Sequence, residues 1–200
     1  MYPRPQSKPA IRLWMRCVRS GCALLILLVA GNLGAANPST FTPDEVEAAY
    51  LFNFGKFVEW PADRGAQTQT FSICIVGQDN FGKKLDELIT GETIQQRKIV
   101  ARRLSSVANA DECQIVYFGN SEENRIVDEL RALDKKPIVT VSSLPLFLAR
   151  GGMIQFLLEN SRVRFAVNLP AARQAGLAMS SELLKVAVYV NTKSSAEGPK

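Results

Sequence analysis

The chain has 200 residues, 46% of them hydrophobic, enough to bury a sizeable core. Its 24 basic and 19 acidic residues give a net charge of +5, and it contains no histidine. That absence excludes His-based triads and imidazole acid–base chemistry, and it removes the commonest metal ligand.

Residues 1–36 read as an export signal. Arg4, Lys8, Arg12, Arg16 and Arg19 come without a single acid, an apolar run from Cys22 to Ala30 follows, and Gly34-Ala35-Ala36 supplies small residues at the cut. The run is shorter than the ~20 residues of a comfortable bilayer span; an uncleaved anchor is the alternative. Removing this segment takes away all the excess charge and leaves the two signs balanced at 19 each. A mature chain without net charge has no footprint for nucleic acid. The remaining ~164 residues fit one domain, 37–192, with a polar tail at 193–200.

A helix is expected over Asp44–Trp60, capped by Thr42 with Pro43 in its first turn, and stopped by Pro61. Val46, Tyr50, Phe54 and Phe57 recur at helical spacing with Leu51 and Val58 beside them. Phe52 lies off that stripe, and exposed aromatics beside Glu59 and Trp60 suit a partner surface or pocket wall; a core role is the plainer reading.

Phe71–Val76 reads as a strand and Asn80–Ile89 as a helix with Phe81, Leu85, Leu88 and Ile89 inward. Between them, GQDNFGKK is one residue short of the phosphate loop G-x-x-x-x-G-K-[ST], with Lys84 where a metal-binding hydroxyl belongs. No acid ends the neighbouring strand pattern, so the stretch reads as a βα turn capped by Asp79 or Asn80. Lys98–Leu104 alternates like an edge strand, Gln114–Phe118 is a short buried strand, and Asn120–Leu133 is a helix capped by Ser121 with Ile126, Val127, Leu130 and Leu133 inward. Pro137–Val141 makes a strand and Leu144–Ala149 a short helix. Met153–Leu158 and Arg162–Asn168 form an antiparallel hairpin, and helices at Pro170–Ala175 and Ser180–Val190 close the chain, the second burying Leu183, Leu184, Ala187 and Val188.

These patterns amount to an α/β fold: a mainly parallel sheet flanked by helices, with a C-terminal antiparallel hairpin and closing helix. With the doubly wound order 2-1-3-4, the first and third strands are neighbours. Only Cys74 and Cys113 remain after export, Cys74 in the first strand and Cys113 at the start of the third. An oxidising compartment favours joining them; the alternative is one or two free buried thiols.

Catalytic constellations are thin. Two cysteines do not make a zinc site and lack C-x-x-C spacing. The acid pairs Asp86-Glu87, Glu122-Glu123 and Asp128-Glu129 read as solvated helix faces. Ser142 and Ser143 end a strand, where a Ser-Lys dyad stays open. Ser180-Ser181-Glu182 opens the last helix, where Ser180 either caps it or helps hold an anion.

Five segments, AAYLFNFGKFVEWP, FSICIVGQDNFGKKLDEL, DECQIVYFGNSE, PIVTVSS and GGMIQFLLENSRVRFAVNLPAARQAGLAMSSELLKVA, together resemble the YfiR family in order and spacing. The resemblance implies a periplasmic α/β protein without enzymatic activity, and the residues themselves lead to no expected cofactor or metal. Such a protein represses an inner-membrane diguanylate cyclase through its periplasmic sensor region, and an outer-membrane lipoprotein sequesters it. The resemblance places Cys74 and Cys113 at the position of a family disulfide, and the reading as a whole expects a homodimer. A second family pair near the hairpin has no counterpart around Gly151-Gly152-Met153. Two other readings stand beside this one: a small-molecule-binding accessory of a transporter or sensor kinase, and a hydrolase with a serine nucleophile.

Overall fold

The computed structural model describes residues 41–62 and 69–193; the expected leader and most of the tail lie outside these residues. Helix α1 (Pro43–Phe57) begins with a capping box, the Thr42 N–H donating to Glu45 Oε2 at 2.7 Å and the Glu45 N–H to Thr42 Oγ1 at 3.4 Å. It ends before Trp60 because Val58 is extended and opens a two-residue strand, β1 (Val58–Glu59).

The sheet core follows as β2 (Thr70–Val76), then helix α2 (Lys83–Ile89), a short β3 (Thr93–Ile94), β4 (Arg97–Leu104) and β5 (Cys113–Phe118). Helix α3 (Ile126–Ala132), β6 (Val139–Ser142), and the hairpin β7 (Ile154–Glu159) and β8 (Arg162–Asn168) come next. Helix α4 (Leu169–Gln174), β9 (Ala178–Met179), helix α5 (Ser181–Val186) and β10 (Tyr189–Asn191) complete the order.

Eight strands form one mixed sheet, β10-β8-β7-β6-β5-β2-β4-β3. The run β4-β2-β5-β6 is parallel and has the expected doubly wound order. The hairpin turns through Asn160 and Ser161, both left-handed at φ 49° and 61°, which is the two-residue geometry that matches sheet twist.

Side-chain alternation divides the core between the two faces. On one, Phe71, Ile73, Ile75, Ile115 and Tyr117 meet α1 and α2; on the other, Cys74, Val76, Val116 and Phe118 meet α3 and Phe147. Phe54 is fully buried, its ring 5.2 Å from Phe165 and 5.8 Å from Phe156.

Several faces and ends differ from the expectation. Phe52 is 9% exposed, with the Lys56 ammonium 3.9 Å above its ring, whereas Phe57 is 39% exposed. Helix α1 buries a stripe centred on Leu51, Phe54 and Gly55, so the two residues exchange roles. Leu88, Val127 and Val188 are likewise exposed.

Residues 120–133 break into a 3-10 turn (Asn120–Glu122) and α3, because Glu122 turns inward. Glu122 and Glu129 are buried and bonded, to Arg125 and to the Val107 N–H respectively, so neither lies on a solvated face. Leu144–Ala149 forms successive turns instead of a helix, with Leu146 left-handed at φ 58°. After α5 the chain straightens into β10, parallel to β8.

Candidate functional site

The antiparallel pairing of β1 with β9 sets Val58 opposite Met179 and Glu59 opposite Ala178. The Ser180 N–H then donates to the Phe57 carbonyl at 2.9 Å. Glu59, Trp60 and Ser180, singled out on separate grounds in distant segments, thus meet at one corner. Glu59 is exposed there. Trp60 stands edge-on to Phe71 with ring centroids 5.2 Å apart, and its Nε1 is buried without a hydrogen-bond partner among the described residues. A buried indole N–H normally finds an acceptor, so this donor is the corner's unsatisfied group.

Ser180 Oγ accepts from the Leu183 N–H at 3.2 Å and caps α5. That helix has only six residues, so the hydroxyl's place in the corner is structural. Two further residues shape the corner. Arg97 is buried, its guanidinium carbon 5.3 Å from the Phe71 centroid, and burial pulls its pKa down. Phe57 adds exposed aromatic surface. In sequence Arg97 falls just before the expected strand Lys98–Leu104, and nothing there marks its partner.

The crevice at the carboxyl ends of β2 and β5, where doubly wound proteins commonly hold ligands, is filled by the chain itself. The Gln78 N–H donates to Ser121 Oγ at 2.9 Å, and Asp79 Oδ1 accepts from the Phe81 and Gly82 N–H groups at 2.8 and 3.1 Å. Arg103 straps the loop to β4 through Asp79, Asp86 and the Gly82 carbonyl. Lys84 is paired with Glu45, and Phe81 packs into the core 4.6 Å from Tyr117. The amides a phosphate would need at Gln78, Phe81 and Gly82 are already bonded, which is the βα-turn reading.

Ser142 Oγ donates to the Phe118 carbonyl at 2.8 Å and accepts from the Leu144 N–H at 3.1 Å. Ser143 Oγ donates to Glu47 Oε1 at 2.9 Å, and the Tyr117 hydroxyl reaches Glu47 Oε2 at 3.3 Å. The serines are therefore engaged with backbone and carboxylate, not with a lysine. This cluster ties α1 to the ends of β5 and β6. Burial raises the Glu47 pKa above its ordinary 4.5, against the lowering effect of both hydroxyls. Glu47 consequently holds its proton in the folded state at pH values where the unfolded chain has released it. Its contribution to stability is fully present below 4.5 and is lost as pH rises through the raised value. Glu45 acts oppositely: bonds from Lys84 and Thr42 lower its pKa to about 2, so its contribution is lost as pH falls below 4.5. Urea unfolding of Glu47→Gln at pH 4.5 and pH 7 is expected to show a smaller fall across that interval than the parent chain. An unchanged pH response would assign Glu47 no such role.

Cys74 and Cys113 are joined, with Cα atoms 5.9 Å apart on adjacent parallel strands. No metal-holding group of acids and cysteines occurs among the described residues, and no helix among them is long and apolar enough to cross a membrane.

A family model described as YfiR/HmsC-like matches residues 44–188, which span α1 to the end of α5 and contain both the disulfide and the β1–β9 corner. The chain belongs to the YfiR/HmsC-like family. Members of this family are regulators of diguanylate cyclase signalling, not catalysts. A crystal structure of a conserved domain protein from Vibrio cholerae O1 biovar eltor is similar in fold, with a TM-score of 0.50 at 14% identity. The match covers 76% of this chain and 62% of that one, so the YfiR/HmsC-like chain spans about three fifths of that structure's length.

Proposed function

We propose that the mature protein works in the periplasm as a homodimer. It binds the periplasmic sensor region of a membrane-bound diguanylate cyclase and represses it, and an outer-membrane lipoprotein relieves the repression by sequestering it. The family match across residues 44–188 carries this reading, and the buried disulfide is consistent with an exported chain. The β1–β9 corner, with exposed Glu59 and Phe57 beside Trp60, is the contact surface. Deleting the gene is expected to raise cyclic-di-GMP and biofilm. Complementation with Glu59→Arg/Trp60→Ala should leave both high although the protein accumulates. Unchanged cyclic-di-GMP in the deletion strain would refute the repressor role, and full complementation by the double variant would move the contact elsewhere.

One observation favours a second reading, in which the corner takes a small molecule for a transporter or sensor kinase: the buried Trp60 Nε1 lacks an acceptor. Thermal-shift screening against amino acids and cofactor-like compounds separates the two. A small ligand raises the melting temperature by mass action, and Trp60→Phe abolishes that rise.

A further inference from the structure

On the sheet face that carries α3, a cavity of about 590 Å³ opens between α3, α4 and the loop joining β6 to β7. It shares no residue with the β1–β9 corner, and its size is that of a small-molecule site. Leu130, Leu133, Met153 and Pro170 give it an apolar lining. The polar atoms at its base are already committed. Thr140 Oγ1 accepts from the Met153 N–H at 3.1 Å, and Asn168 bonds the Leu148 carbonyl and the Ala171 N–H.

The charges lining the cavity are unbalanced: Arg131, Lys135 and Arg150 against Asp134. Arg131 is paired with Asp128 at 2.6 Å. Arg150 is not held in this way. Its Nη1 is buried and has no hydrogen-bond partner among the described residues, and its Nη2 reaches Glu123 only at 3.9 Å. The guanidinium is thus held only by one long contact, and its side chain, 28% exposed, is where an acceptor from the cavity reaches it. Beside it, Gly151 is left-handed at φ +102° with open space where a Cβ would project. Backbone is therefore accessible next to the cation.

We infer that this cavity binds a small organic anion, a carboxylate or phosphate monoester whose head group meets Arg150 and whose apolar body lies on Leu130, Met153 and Pro170. The planar fork of arginine suits either head group, and Lys135 adds charge at the rim.

The test is a titration of the purified protein with benzoate, phenyl phosphate, benzamide and inorganic phosphate, following the backbone amide signals of Gly151, Met153 and Ala171. Benzoate or phenyl phosphate should saturate these signals, the tighter of the two identifying the head group, and neutral benzamide should bind at least about tenfold more weakly. Arg150→Gln should weaken the organic anion by about tenfold or more, and Arg150→Lys, which keeps the charge but not the fork, by less. The lysine variant serves the same purpose if the glutamine variant fails to fold. Benzamide equalling benzoate, inorganic phosphate equalling phenyl phosphate, or Arg150→Gln binding within about twofold of the parent would each overturn the proposal. So would the absence of any response up to ~10 mM probe.

Discussion

Replacing both Cys74 and Cys113 by alanine is expected to lower the unfolding free energy by about 4 kcal/mol. The bridge closes a separation of 39 residues, and the chain-entropy cost of that loop in the unfolded state supplies the figure. For a domain of this size the loss corresponds to a fall in melting temperature of roughly 8–16 °C. The bridge joins β2 to β5, two adjacent strands inside the parallel run β4-β2-β5-β6. Their pairing is non-local, so without the bridge the chain must close the whole β2-to-β5 crossover before the two strands reward one another. Both cysteines are fully buried among Val76, Val116 and Ile126, and the folded oxidised protein should therefore resist alkylation. Comparison of parent and double variant by urea unfolding checks the magnitude. A difference below about 1 kcal/mol would mean that the unfolded chain is already constrained across this loop.

The parts of the fold that rest on local pattern were legible in the sequence. Phe71–Val76 and Cys113–Phe118 are near-continuous apolar runs because parallel strands are buried on both faces, and the cysteine pair fits their adjacency. Thr42 and Glu45 announce the start of α1 with their own side chains. Features set by distant contacts were not legible. Nothing local shows that Glu122 turns under Gly77 and breaks the expected helix, or that Gly152 packs against Phe147 while Leu146 turns left-handed. The exchange of Phe52 and Phe57 follows from which side of α1 the sheet covers, a tertiary fact that helical periodicity alone leaves ambiguous. The corner was half visible. Glu59, Trp60 and Ser180 stood out individually, but their meeting depends on a two-residue ladder too short to leave a pattern. The cavity beside Arg150 was not visible at all, since its walls come from α3, α4 and an irregular loop.

The joint between the turn GQDNFGKK and Gly119 yields the second large effect, with the largest loss expected at Gly119, outside the phosphate-loop pattern. At Gly119 the backbone is ordinary, with φ −70°, but an added Cβ would overlap the Gln78 carbonyl, a backbone atom that cannot rotate away. Gly119→Ala must push the ends of β2 and β5 apart, breaking the Gly119 N–H to Val76 carbonyl bond of 2.9 Å; overpacking of this kind costs about 3 kcal/mol or more. Gly77→Ala combines left-handed strain at φ +81° with crowding against Ser121 and Glu122, whose side chains have some freedom to yield, for about 2–3 kcal/mol. Gly82→Ala has nothing near the new methyl, but its backbone at φ +54°, ψ −133° lies in a mirror-β region that only glycine adopts readily, so it should cost about 1–3 kcal/mol. In a nucleotide-binding loop Gly82, next to the lysine, would be among the critical positions. Here its constraint is its own backbone and not a phosphate, since its N–H is held by Asp79 and its carbonyl by Arg103. Urea unfolding of the three variants decides the order, and a Gly82→Ala loss exceeding that of Gly119→Ala would show that the crevice is not closed by the Gln78–Gly119 contact. If the order holds, the end of the sheet that elsewhere receives ligands is a structural joint, and recognition by this protein falls to its flanks: the β1–β9 corner and the Arg150 cavity.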